Sequence, residues 1–346
     1  MARKTVYNNI VTDEKKAQIN PQNTQLLKMY LATMRASGSA KGTLKTYESN
    51  INIFFVWLLD NLGNKLFADI KKMDVVLFQD YMLTELNYSP SRIRTVKSSL
   101  SSLSNYVMDF MDHEYPNFTN VINVVKSPAN NPVRKKTVYE DEELEAILTE
   151  LVAQDYHQIA CCLALAMGSG ARKAELPRFK VSFFDKENLL YDGALYETPE
   201  KILTKGKGGK MLHKYTLASM FKPYFDKWLE IRNTEGYDSD DLFLSIVGNS
   251  VTLATATTLD SWAETINRIS KEIGIKKHFY WHSCRHYYTT HLSKAGIPAE
   301  VIKQIVGWES VEMVSTYNDM ELTDTLSGYF GNGGIQIKKG KSLSEL

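Results

Sequence analysis

His282-Ser283-Cys284-Arg285-His286 is the stretch from which the rest of this 346-residue chain can be read. His282 and Arg285 lie three apart, so a helix puts both on one face. An imidazole beside a permanent guanidinium cation suits a phosphate oxygen, because the guanidinium donates a planar fork of hydrogen bonds. The pair alone is more often structural than catalytic, so its surroundings decide its meaning. His282 and His286 are four apart, which is also the spacing of a helical zinc pair. No Glu follows His282 directly, and the metalloprotease pattern is missing. His286 and His291 therefore read as structural, with no metal and no cofactor expected.

Upstream, Gly168-Ser169-Gly170-Ala171-Arg172-Lys173-Ala174-Glu175-Leu176 ends one element with small residues and presents Arg172. Glu175, three residues on, is placed to brace that turn as structural support. Next comes Lys205-Gly206-Lys207-Gly208-Gly209-Lys210, a flexible turn able to bring an ammonium to a phosphate. It lacks the Walker A order and is no nucleotide loop. Downstream lie Ile305-Val306-Gly307-Trp308-Glu309-Ser310 and Ser315-Thr316-Tyr317-Asn318-Asp319. An indole donates one hydrogen bond, and a tyrosine can be a covalent nucleophile. Each piece alone has a plain reading: a helix start, a solvated hairpin tip, core packing.

The ordered set Arg172, Lys207, His282, Arg285, Trp308, Tyr317 resembles the tyrosine recombinases, also called phage integrases. That family carries Arg in a Gly-Leu-Arg-x-x-Glu-Leu turn, a hairpin Lys, His-x-x-Arg, then His or Trp, then Tyr. Here Trp308 lies 23 positions after Arg285 and Tyr317 lies 9 after Trp308, as the family pattern expects. Gly296 and Gly307 match as well, and the likeness runs from about Asn23 to Tyr317. Ala171 replaces the usual Leu, and Trp308 stands where most members have His. Of the hairpin lysines, Lys207 matches the Gly-Lys-Gly turn, with Lys205 in reserve.

The resemblance implies a mechanism. Tyr317 attacks a DNA phosphodiester and forms a 3′-phosphotyrosyl link, releasing a 5′-hydroxyl. Arg172 and Arg285 hold the charge that develops on the phosphate oxygens. Lys207 acts as general acid, His282 aids the phosphate or the tyrosine, and Trp308 donates its N–H. It also implies a homotetramer on two duplexes, with Leu322 to Phe330 as a candidate docking segment and room for an accessory directionality factor. Double-stranded DNA is the expected partner. Lys41, Thr43 and Lys45 open one helix, and Arg92, Arg94 and Lys97 open another. Helix starts of this kind fit phosphate contact and groove entry. Arg134, Lys135 and Lys136 suit a strap along the backbone. A clamp of helical bundle and catalytic domain around the duplex follows from that placement.

Charge distribution agrees with an anionic partner. The net charge is only +1, yet residues 1–136 hold 18 basic against 11 acidic side chains, and the remainder holds 23 against 29. A basic N-terminal part suits nucleic acid. Hydrophobic residues make up 43% and charged residues 23%, a globular composition that excludes a mainly disordered chain. No apolar run reaches the roughly 18 residues of a membrane span, so no membrane partner is expected. Three cysteines support neither a disulfide framework nor a zinc module, which favours the cytoplasm, nucleoid-associated when on DNA.

The expected fold is mainly α with a small antiparallel β-sheet: an N-terminal helical core-binding domain and a mixed α+β catalytic domain. Residues 1–20 read as a flexible arm, 21–126 as the helical domain, 127–136 as the Pro/Asn linker, 137–330 as the catalytic domain and 331–346 as a tail. Helices are expected near Val75–Glu85, Ser91–Phe110, Thr137–Leu151, Gln158–Met167, Leu253–Ile273, His282–Ala295, Ala299–Val306 and Val311–Tyr317, with another beginning after Pro223. Short strands are expected at Arg178–Phe184, Lys201–Thr204 and Leu212–Thr216. The leading functional reading is an integrase of a phage or mobile element. A chromosome or plasmid dimer resolvase, an inactive DNA-binding regulator and a type IB topoisomerase are the alternatives.

Overall fold

The computed structural model describes residues 9–129, 138–204 and 210–319, and the backbone of 330–331 and 334–335. The chain divides into two compact units, Met1–Lys135 and Lys136–Leu346. It is mainly helical with small antiparallel sheets. No helix among the described residues is long and apolar enough to cross a membrane.

The first unit is a helical bundle. Its helices are α1 (Asp13–Gln18), α2 (Pro21–Ala36), α3 (Lys41–Asn61), α4 (Lys72–Thr84) and α5 (Pro90–Phe110). Asn20 and Ser89 cap α2 and α5 by accepting from backbone N–H groups, each followed by a proline whose missing N–H costs nothing there. Phe54 packs against Phe78 at 4.7 Å, and Trp57 closes the cluster. The start of the chain departs from the expected arm. Val11 and Ile19 are buried in the bundle, α1 lies between them, and Lys15 pairs with Asp60 at 2.5 Å. Two apolar anchors around one helical turn and a half are too sparse to register as periodicity.

The second unit is built around α7 (His157–Ser169), buried along its length from Ile159 onward. A helix apolar on all sides belongs in the middle of a core. Around it pack α6 (Asp141–Ala153), α8 (Ala218–Glu235) and α10 (Trp281–Lys294). The remaining helices are α9 (Ala256–Glu272), α11 (Ala299–Val306) and α12 (Glu312–Tyr317). A three-stranded antiparallel sheet has the order β1 (Leu189–Leu190), β2 (Leu195–Glu197), β5 (Tyr215–Leu217), and β3 (Ile202–Leu203) pairs with β4 (Met211–Leu212). Lys205 and Lys207, in the turn joining that pair, lie outside the described residues, as do Arg134, Lys135 and Lys136 and residues 320–329.

Three local expectations are corrected. Arg178–Phe184 is not a strand; Leu176–Arg178 and Val181–Phe184 are 3-10 turns, and Pro177 has no N–H to give a ladder. Helix α8 begins at Ala218 and carries Pro223 within it. The hairpin β6 (Leu244–Val247) and β7 (Ser250–Leu253) occupies a stretch with no expected strand, and takes Leu253 from the expected helix. Its residues are mostly exposed, so they show no alternation of buried and open positions. Two-residue strands β8 (Phe330–Gly331) and β9 (Gly334–Ile335) pair within the expected docking segment and tail.

Candidate active site

Helix α7 ends at Gly170, whose φ of +58° closes the helix in the left-handed region. A Cβ there would stand 2.5 Å from Cδ1 of Tyr288. Glycine thus lets α10 approach and sets Arg172 at the mouth of the site. The Arg172 backbone N–H donates to Glu175 Oε2 at 3.0 Å, and its Nη1 donates to Glu175 Oε1 at 2.8 Å. Glu175 is fully buried. Its other partner is a residue absent from the expected set: Lys214, just before β5, sits with Nζ 2.7 Å from Oε2 and is itself buried.

Helix α10 presents His282, Arg285 and His286 along one side. Arg285 is completely buried. It donates from Nη1 to the Gly170 carbonyl at 2.8 Å and from Nη2 to the Val306 carbonyl at 3.1 Å. These two bonds tie the ends of α7 and α11 to the same guanidinium. Burial, then the neighbouring Arg172 charge, lowers its pKa to about 10, which leaves it cationic at neutral pH. The guanidinium carbon lies 5.0 Å from the Trp308 ring centroid. Gly307, with φ +77°, makes the turn before Trp308, and Leu212 of β4 occupies the space a side chain there would need. Arg285 Nε and Trp308 Nε1 are both buried and have no hydrogen-bond partner among the described residues. Buried donors without partners are rare, and two side by side mark a place for an acceptor.

Tyr317, at the end of α12, completes the cluster. Its hydroxyl is 2.8 Å from His282 Nε2. Its ring centroid is 4.8 Å from that of Trp308 and 4.6 Å from that of His286. His282 opens partly to solvent, yet its pKa falls to about 4, through burial first and then the charges of His286, Arg285 and Arg172. The imidazole is therefore neutral at pH 7 and free to accept a proton. His286 faces Asp319 with Nδ1 to Oδ2 at 3.1 Å, and Thr290 Oγ1 accepts from the Asp319 N–H at 3.0 Å. His282, His286 and Thr290 recur every four residues, so one face of α10 holds the tyrosine's hydroxyl, ring and following backbone. Asp319 carried no signal beyond standing two residues past Tyr317. His291 lies against Tyr287 instead, ring centroids 5.8 Å apart. No group of three metal-ligating side chains is present among the described residues.

This arrangement can hold a phosphate and deliver a phenolic oxygen to it. The phage integrase family matches residues 137–323, and the N-terminal SAM-like domain of phage integrases matches residues 26–112. The chain belongs to the phage integrase family of tyrosine recombinases. This recombinase is 28% identical over 286 residues to an SPbeta prophage-derived recombinase-like protein, YomM, of Bacillus subtilis (strain 168), covering 80% of this chain and 81% of that protein. It is 22% identical over 171 residues to tyrosine recombinase XerC of Escherichia coli O127:H6, about half of each chain. Among solved structures it resembles XerH site-specific recombinase bound to its difH substrate (TM-score 0.63, 18% identity, 93% of this chain and 89% of that one). A lambda integrase tetramer on a Holliday junction is similar in fold (TM-score 0.63, 15% identity, 86% and 77%). As a tyrosine recombinase this chain is a DNA-cleaving and rejoining enzyme.

In the helical unit of the recombinase, Lys41, Thr43 and Lys45 are exposed on the first turns of α3. Arg92 lies over the Tyr88 ring at 5.3 Å. Arg94 and Lys97 depart from the expected open basic face. Arg94 donates to the Pro128 carbonyl at 2.5 Å. Lys97 is 6% exposed and donates to Gln79 Oε1 at 3.0 Å and to the Val125 carbonyl. Both bind the segment that follows the bundle. Helical periodicity gives the face of a residue but not the loop that later covers it.

Proposed function

We propose that this recombinase cleaves DNA through a 3′-phosphotyrosyl intermediate at Tyr317 and integrates a phage or other mobile element. The observation that carries the reading is the Tyr317 hydroxyl 2.8 Å from a neutral His282, beside two buried donors without partners. In this reading the scissile phosphate lies between them. Arg285 Nε and Trp308 Nε1 then bond its non-bridging oxygens, and Arg172 adds a second cation. Tyr317 Oη attacks phosphorus while its proton passes to His282 Nε2. The P–O5′ bond breaks, and Lys207 protonates the departing 5′-oxygen. A 5′-hydroxyl of another strand reverses the step and exchanges strands.

On DNA the reading calls for a homotetramer, with Lys41, Thr43, Lys45 and Arg92 and the linker residues Arg134, Lys135 and Lys136 on the phosphate backbone. The segment Leu322 to Phe330 would dock on a neighbour, and an accessory factor would set direction. The likeness to a prophage-derived recombinase supports the mobile-element reading over a dimer resolvase.

The test is to incubate the protein and Tyr317→Phe with supercoiled DNA from its own genomic neighbourhood, then trap and map adducts. A metal-independent 3′-adduct at Tyr317, absent from the variant, is the expected result. Specific DNA binding with no adduct would instead make this an inactive DNA-binding relative.

A further inference from the structure

Lys214 has no place in the chemistry just described, yet its buried ammonium pairs with the carboxylate that holds Arg172. Its side chain is 1% exposed and that of Glu175 is 0% exposed. Replacing a buried ion pair of this kind with apolar side chains of similar volume commonly leaves a fold as stable or more so. The pair is therefore poorly explained as a device for stability alone, and its position beside Arg172 offers another explanation.

We infer that Lys214 is a positioning residue for cleavage: by pairing with Glu175 it fixes the carboxylate that holds Arg172 toward the phosphate. This rests on the reading of Arg172 as a phosphate ligand. Glu175 bridges Arg172 and Lys214. Its Oε1 takes Arg172 Nη1 at 2.8 Å, and its Oε2 takes both the Arg172 backbone N–H at 3.0 Å and Lys214 Nζ at 2.7 Å. Lys214 in turn starts from a rigid base. Its N–H donates to Thr198 Oγ1 at 3.0 Å, and its carbonyl accepts from the Thr198 N–H at 3.0 Å. The direction of the Arg172 fork is thus referred to the β2–β5 sheet rather than to a surface turn.

The charges around the bridge agree with this role. Burial would push the Glu175 carboxyl up, but Lys214 and Arg172 outweigh it and hold it below its ordinary range. Lys214 is itself lowered by burial, against the pull of Glu175, and further by Arg285 and Arg172. Three cations therefore surround one carboxylate. Removing Lys214 leaves that carboxylate facing only the two guanidiniums meant for DNA, so Glu175 either takes up a proton or draws Arg172 inward. In either case the fork leaves its position.

The experiment compares Lys214→Met, Glu175→Gln and the double variant in single-turnover cleavage of nicked DNA carrying the mapped site, with DNA affinity and Tm measured in parallel. Lys214→Met is expected to slow adduct formation by about a hundredfold while leaving affinity near that of the parent, as misplacement of a catalytic group does. Its rate is expected to fall on acidification at a higher pH than the parent's, because Glu175 has lost the ammonium that helps hold its carboxyl low. The double variant, free of the unpaired carboxylate, is expected to recover Tm but not rate. Rates that follow Tm through all three variants and return in the double would overturn the inference, as would a parental rate with an unshifted pH profile in Lys214→Met. An adduct from the parent beside an unaffected Lys214→Met rejects this inference and keeps the proposed function, whereas no adduct from the parent rejects both.

Discussion

Two buried cations, one in each unit, show how differently the same burial can be used. Lys97 in the bundle gives its ammonium to Gln79 and the Val125 carbonyl and so fastens a loop. Arg285 in the catalytic unit gives two N–H groups to helix-end carbonyls, while its Nε and the Trp308 Nε1 have no partner among the described residues. A buried donor that is satisfied holds the fold together. One left over in a dry site is costly, and the cost is recovered only when an acceptor arrives.

The sharpest way to break this contrast is to remove the unsatisfied side. Arg285→Ala is expected to reduce adduct formation by about a thousandfold, the scale for losing a preorganised charged donor. It should also lower stability, because the Gly170 and Val306 carbonyls lose their donor. Trp308→Phe keeps an aromatic ring against Tyr317 and removes only the N–H, so a smaller fall, about tenfold to a hundredfold, is expected in the same assay. An unchanged rate in Trp308→Phe would mean that its orphaned donor has no part in the chemistry. In the bundle, Lys97→Met is expected to cost about 1–3 kcal/mol in urea unfolding, since two acceptors lose a buried partner. It should leave the salt dependence of DNA binding unchanged, whereas Lys41→Gln with Lys45→Gln should flatten that slope by about 0.9 for each phosphate no longer neutralised.

The smallest effect is one of pH. With its folded pKa near 4, below the ordinary imidazole value, His282 is neutral in the folded state where the unfolded chain is already protonated. Its contribution to stability is complete above about pH 6.5 and is lost as pH falls toward 4. His282→Asn should therefore lose less stability than the parent between those limits, as read by urea melts at each pH. The cleavage rate should show no His282 inflection between about pH 5.5 and 7.5. An inflection near 6.5 that vanishes in His282→Asn would show that the imidazole titrates normally.

Much of the fold was legible because it depends on local rules. The helices expected near Val75–Glu85 and Ser91–Phe110 are found as α4 and α5, the second capped by Ser89 with Pro90 in its first turn. The β6–β7 hairpin was not legible, since its mostly exposed residues carry no alternation. At the site, Arg172, His282, Arg285, Trp308 and Tyr317 were legible through the resemblance to the tyrosine recombinases, since each residue alone has a plain structural reading. Lys214 and Asp319 were not, since their roles depend on partners distant along the chain.

Residue types, helix starts and the sequence of reactive groups are written in the chain, because each follows from a side chain's own chemistry or from neighbours within a turn. Which cations keep donors free for DNA, and which use them internally, depends on what covers each one. Lys97 and Arg285 look alike as basic residues on amphipathic helices. A returning loop with an open carbonyl meets the first, and two helix-end carbonyls take only part of the second's donors. Such pairings join residues far apart in sequence, and only the packed tertiary structure brings them together.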